Sequence, residues 1–115
     1  MKENVIQEKS YEFALAVIPI CRRLQDEREF VLSRQLLRAG TSIGANVEEP
    51  QAGQSRADFL SKMSIAAKEA RESRYWLRLL RDSHEFPKID FQPLVDSTDE
   101  LLRILVSIVK TTGES

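Results

Sequence analysis

The sequence predicts an all-α protein folded as an antiparallel, up-down-up-down four-helix bundle, and three observations predict it. In four separate stretches, apolar and small residues recur with alternating spacings of four and three. That is the 3.5-residue period of a helix seam packed lengthwise on other helices. The stretches are divided by short connections that carry proline, glycine or a capping side chain. No segment alternates with the period of two that a half-buried strand needs. A chain of 115 residues holds one such domain, spanning 1–115, around a single core.

The first helix is expected over about residues 9–25, with Ile6, Ser10, Phe13, Val17, Ile20 and Leu24 on its seam. Pro19 lies inside it, removes one backbone bond and crowds the carbonyl of Leu15, so a kink is expected there. The second helix is expected over about 29–49. Its core face is Phe30, Ser33, Leu37, Gly40, Gly44 and Val47, widened by Leu36 and Ile43. Each interior glycine costs roughly 1 kcal/mol relative to alanine. Close approach of a neighbouring helix at Gly40 and Gly44 would compensate; a hinge is the rival reading.

Pro50 to Gln54 breaks the chain direction. The third helix then runs over 55–83, capped by Ser55 with Asp58 three residues on, close to a capping box. It would be on the order of 40 Å long at 1.5 Å per residue. Its seam is Phe59, Met63, Ala66, Ala70, Ser73, Leu77 and Leu80. After His84 to Ile89, Asp90 caps the fourth helix, expected over 90–111, where Pro93 is tolerable in the first turn. That helix carries Phe91, Leu94, Thr98, Leu101, Leu105 and Ile108 inward, with Val95, Leu102 and Val109 alongside, and Thr111 to Ser115 are expected to fray.

Composition excludes several function classes. Net charge is −1, so no global basic field draws nucleic acid or anionic lipid. The single cysteine, Cys21, cannot form a disulfide within the chain and reads as a small core residue. No apolar run reaches bilayer-spanning length, and the opening MKENVIQEKSYEF is too polar for a signal peptide. A cytoplasmic location is expected. One histidine, His84, in a loop is too few for a metal centre, and the Glu-x-x-His pairs of di-iron bundles are absent. Gly40-x3-Gly44 sits within a helix and lacks the lysine of a phosphate loop. No catalytic residue, metal, cofactor or small-molecule substrate is expected, and the protein is read as a non-enzyme.

The near-neutral total hides a basic segment. Residues 55–83 hold seven Lys/Arg against four acids, whereas 84–115 hold three against six. On one flank of the third helix stand Arg71, Arg74, Arg78 and Arg81, with Lys68 further round. They read either as a solvated face paired with the acids of the fourth helix, or as a stripe that follows phosphates. The opposite flank sets Ile65, Trp76 and Leu79 around Glu69 and Glu72. A tryptophan so far off the seam marks either a subunit contact or a wider core. Acids on one flank and arginines on the other would let successive subunits meet head to tail and close into a ring. Asn46 and Glu49 read as polar groups under the turn after the second helix that need partners.

The stretch Arg34 to Glu49, then Gln54 to Phe59 and Ala67 to Leu77, resembles a bacterial four-helix-bundle family. That family is named after proteins encoded in intervening sequences of 23S ribosomal RNA genes. The pattern is carried by Ala39, Ser42, Ile43, Asn46, Val47 and Glu49, and by the run Lys68 to Leu77. Where the family usually has glycine or alanine after the glutamate, this chain has Pro50, which should end the second helix more abruptly. The resemblance implies a left-handed antiparallel bundle assembled as a homopentameric ring. A related branch, the accessory variability proteins of diversity-generating retroelements, binds nucleic acid and a reverse transcriptase through a basic surface. The charge of −1 departs from that branch.

The combined expectation is a non-catalytic, oligomeric bundle acting as a scaffold or accessory protein, associated with structured RNA or a nucleic-acid enzyme through Lys68, Arg71, Arg74, Arg78 and Arg81. The alternative is a purely protein-binding oligomeric module that uses Ile65, Glu69, Glu72, Trp76 and Leu79 and makes no nucleic-acid contact.

Overall fold

The computed structural model describes residues 2–49 and 55–114, with side chains from Val5 onward. Four helices account for nearly all of them: α1 Lys2–Asp26, α2 Val31–Glu48, α3 Arg56–Ser83 and α4 Gln92–Glu114. There is no strand among the described residues. The break expected at Pro50 to Gln54 lies outside them.

Two helices are longer than their sequence patterns suggest. α1 begins seven residues before Lys9, because Ile6 is 1% exposed and continues the buried line of Ser10, Phe13 and Val17. It passes Pro19 without interruption of the helix. α4 continues through Thr111, Thr112 and Gly113, where fraying was expected. The Arg56 side chain explains this: Nε and Nη2 both donate to the carbonyl of Thr112, satisfying an end-of-helix acceptor from the neighbouring helix.

Short-range chemistry sets the other ends. Ser55 is extended (φ −67°, ψ 163°) and its Oγ accepts from the Asp58 N–H at 3.2 Å. Before α2, a Glu29 carboxylate oxygen accepts from the Leu32 N–H at 2.7 Å. Before α4, Asp90 Oδ1 accepts from the Gln92 N–H at 3.1 Å. α1 stops at a left-handed Arg28 (φ 67°), and the following Glu29 N–H reaches back to the Leu24 carbonyl at 2.8 Å. That is the Schellman closure, with arginine where glycine is usual. α3 likewise stops at a left-handed His84 (φ 59°).

Cross-helix contacts show that every neighbouring pair is antiparallel. Gly40 meets Val17 and Phe13 while Gly44 meets Ser10. Arg38 bonds Glu69 and Glu72 while Glu49 pairs with Lys62. Arg74 bonds Asp99, Arg81 bonds Gln92 and Arg56 bonds Thr112. Lys9 pairs with Glu100 and Arg23 with the carbonyl of Lys88. α4 therefore closes against α1, over the smallest of the four interfaces, and diagonal helices stay apart. The result is a rod of 46 × 21 × 20 Å.

The core follows the seams with local rotations. In α3, Met63, Ala66, Ala70, Ser73, Leu77 and Leu80 are all buried, and Phe59 is half-buried. In α4, Phe91, Leu94, Thr98, Leu101, Leu105 and Ile108 are buried as expected. In α1, Cys21 is buried and Ile20 only half-buried. In α2 the buried line is Ser33, Leu36, Ala39, Gly40, Ile43 and Val47, with Leu37 and Gly44 only half-buried. Phe30 is 51% exposed, a correction whose cause is that it precedes the first helical residue and lies off the stripe. A β-carbon built at Gly40 would stand 3.2 Å from Val17 Cγ1, tighter than most real contacts, whereas at Gly44 it would stand 3.4 Å from Ser10 Oγ. α1 and α2 thus meet closely at the two small residues.

Candidate functional site

α3 has its buried seam against the core and two flanks, one turned to α4 and one to α2. Their chemistry differs because their neighbours differ.

On the α4 side, Arg74 Nε lies 2.6 Å from Asp99 Oδ1. Arg81 bonds Asp82 through Nε at 2.7 Å and Gln92 Oε1 through Nη1 at 3.0 Å. The pairing raises the Arg81 pKa and lowers that of Asp82. Two of the four predicted arginines are thus held within the chain. Arg71, Arg78 and Lys68 are exposed and make no direct hydrogen bond or ion pair among the described residues. Lys68 and Arg78 act only at longer range, favouring the charged forms of Glu72 and Asp82.

The three free cations stand on the outermost ridge of α3 with Tyr75, at spacings of three, four and three. Tyr75 is 53% exposed and meets Trp76 edge-on, with ring centroids 5.4 Å apart and planes at 64°. Sequence reasoning missed Tyr75, although the alternation Lys68, Arg71, Tyr75, Arg78 was there to be read once the core seam was known.

On the α2 side, the decisive residue is Arg38, which sequence reasoning also missed. Its Nη1 lies 2.9 Å from Glu69 Oε2 and its Nη2 2.5 Å from Glu72 Oε1. The Arg38 hydrogen bond holds the Glu72 carboxyl below its usual range against the opposing effect of burial. The charges of Arg38 and Lys68 and the nearby Trp76 indole add to it. That indole Nε1 is itself buried and reaches no acceptor with hydrogen-bond geometry. Trp76 is half-buried and packs on the core, while Ile65 and Leu79, each 39% exposed, remain at the surface. The acids of this flank are therefore engaged within the chain before any second subunit arrives.

The polar pair at the end of α2 divides. Asn46 is half-buried and its Nδ2 donates to the Ser42 carbonyl at 2.8 Å. Glu49, expected under the turn, is exposed and pairs with Lys62 at 3.3 Å. Cys21 is buried, and burial pushes its thiol pKa up to about 11; His84 is exposed in the α3–α4 connection. Among the described residues, no three His, Cys, Asp or Glu side chains gather to hold a metal. No helix of the described residues is long and apolar enough to cross a membrane.

No curated protein matches the chain. A crystal structure of a protein with unknown function from the S23 ribosomal protein family of Bacteroides thetaiotaomicron is similar, at 44% identity and a TM-score of 0.87. The likeness covers 96% of this chain and 99% of that one. The family model for the 23S rRNA-intervening sequence protein matches residues 2–107. By that match across nearly the whole chain, the protein belongs to the 23S rRNA-intervening sequence protein family.

Proposed function

We propose that this protein is a non-catalytic, oligomeric scaffold that contacts structured RNA, alone or with a nucleic-acid enzyme, through the outer ridge of α3. The observation that carries this reading is the set Lys68, Arg71 and Arg78, exposed and directly unpaired beside the exposed ring of Tyr75. Guanidinium groups without an intramolecular partner are available for phosphate, and an exposed aromatic face stacks on unpaired bases. Arg74 and Arg81, tied to Asp99, Asp82 and Gln92, are secondary contributors. The resemblance described above points to a pentameric ring, which would repeat the ridge around the assembly. A single cysteine, which rules out a disulfide within the chain, suits work in the reducing cytoplasm.

The test is binding of a labelled structured RNA across a salt titration. Wild type should show a steep negative slope. Arg71→Ala/Arg78→Ala should weaken binding across sequences and reduce the slope by about two, whereas Arg74→Ala should change it less. Equal slopes for wild type and the double variant would remove the ridge from the reading.

A second reading is favoured by one observation: Ile65 and Leu79 stay exposed on the flank of α3 that carries Trp76, whose buried indole Nε1 reaches no acceptor with hydrogen-bond geometry. A protein partner on this flank would cover the apolar pair. Leu79→Asp would then abolish partner or subunit binding, and the wild-type protein would show no salt-sensitive RNA binding.

A further inference from the structure

α1 carries a stripe that the bundle does not use. Its buried seam is Ile6, Ser10, Phe13, Val17 and Leu24. On the outside of the helix, Glu8, Tyr11, Leu15, Ile18 and Arg22 recur at spacings of three and four. Tyr11 is 58% exposed, Leu15 is 53% exposed, and Ile18 is half-buried. Four-helix packing requires one stripe per helix, so this one is surplus to the fold. Beside it, the groove between α1 and α2 is hollowed twice. A hollow of about 190 Å³ lies over Ala14, Gly44 and Ala45, with Tyr11 and Glu48 in its wall. Another, of about 70 Å³, is lined by Ile18, Arg22 and Leu37.

We propose that this groove binds an amphipathic helix of a different protein, acidic at its N-terminal end and basic at its C-terminal end, running antiparallel to α1. The order of charges on the groove selects it. Glu8 and Glu48 stand together beside Tyr11 at one end. Arg22 stands at the other end, with Arg34 beyond Leu37 on α2. All four charged residues are exposed, and none makes an ion pair among the described residues. Glu8 and Arg22 are about 21 Å apart along α1 at 1.5 Å per residue, so a helix of about four turns spans them. An acidic N-terminus and a basic C-terminus are what the helix dipole favours, which sets the direction. A second α1 matches this order only by two-fold pairing, which cannot build the pentameric ring, so the occupant is another protein.

The larger hollow has the polarity that such an occupant needs. Its two hydroxyls, Ser10 and Thr41, donate to the carbonyls of Gln7 and Leu37 at 3.2 and 2.7 Å, so toward the hollow they only accept. With the carboxylates of Glu8 and Glu48 and the ring of Tyr11, they suit the lysine or arginine at the basic end of the helix. Leu15, Ile18 and Leu37 meet its apolar face, as in helix-in-groove recognition. The inference rests on the scaffold reading above and adds to it a protein-binding face on α1, the helix diagonal to the α3 ridge.

The probe is a dye-labelled synthetic helix with glutamate near its N-terminus, leucines at spacings of three and four, and lysine near its C-terminus. It is titrated with the intact protein and read by fluorescence anisotropy. A second synthetic helix carries glutamate at both ends. The first should bind about tenfold more tightly than the second, and Glu8→Lys/Glu48→Lys should reverse that preference. Leu15→Asp should abolish binding of the first helix, while circular dichroism, the size of the assembly and the salt slope with RNA stay as in wild type. Failure of wild type to bind the first helix, equal binding of the two helices, or an unchanged preference in the charge variant overturns the inference. So does dissociation of the assembly by Leu15→Asp, which would give the stripe to a second copy. A wild type without an RNA salt slope removes the α3 ridge from the reading and leaves the helix titration to decide this groove.

Discussion

Arg38 of α2 closes over Glu69 of α3, its Nη1 2.9 Å from a carboxylate in a residue only 8% exposed. The two residues are 31 positions apart in the chain, and the same guanidinium also takes Glu72. The α2–α3 interface is thereby fixed in register by one planar fork rather than by apolar contacts alone. Arg38→Ala should destabilise the bundle by about 2 kcal/mol, because it strands a carboxylate that water reaches poorly. Arg38→Ala/Glu69→Gln should recover much of that loss. Urea unfolding of the three proteins measures both effects.

The same fork gives stability a pH dependence. The folded pKa of Glu72 is depressed, first by the Arg38 hydrogen bond. A depressed carboxylate stabilises the fold above its unfolded value, near 4.3, and that contribution is lost as pH falls through the folded value. The contribution should be modest, under about 1 kcal/mol, since Arg38 is half exposed. Glu72→Gln should be less stable than wild type at neutral pH, and the difference should shrink as pH falls below the usual carboxylate range. Midpoints of denaturant unfolding from pH 7 to pH 3 provide the measurement.

Gly40 and Gly44 should respond oppositely to the same substitution. At Gly40 a new methyl meets both γ-carbons of Val17, at 3.2 and 3.3 Å, and Phe13 at 3.4 Å. Valine within a helix has little rotameric freedom, so Gly40→Ala should lose about 1 kcal/mol despite its better helix propensity. At Gly44 the contact with Ser10 is ordinary, and Gly44→Ala should gain up to about 1 kcal/mol. Thermal unfolding of the two single variants separates them by sign.

Cys21 should be inert in the folded protein. Its thiol is buried and its pKa is pushed up to about 11 by burial, leaving almost no thiolate at neutral pH. A thiol reagent such as a maleimide should label it only as fast as the bundle opens, and fully in denaturant. Rapid labelling of native protein at pH 7 would show that α1 separates from its neighbours more readily than the packing implies.

The fold was legible wherever a residue's fate depends on its own helix. Met63, Ala66, Ala70, Ser73, Leu77 and Leu80 repeat with helical period and are all buried; Ser55 and Asp90 stand where backbone N–H groups need acceptors and supply them. The miss at Phe30 arose at a boundary, where the pattern ran one residue past the helix that carries it. The candidate site was legible in part: the two flanks of α3 have the composition read from the sequence, but Tyr75 was passed over.

By itself, then, the sequence determined the four helices, their inward faces and the split of α3 into a basic and an apolar–acidic flank, because helical period is a local property of the chain. The tertiary structure alone decided that Arg38 claims Glu69 and Glu72, that Asp99 takes Arg74, and that Arg71 and Arg78 are left directly unpaired. Those outcomes depend on the register between helices. One turn of slip, about 5.4 Å, would exchange every partner while leaving each helix and its period unchanged.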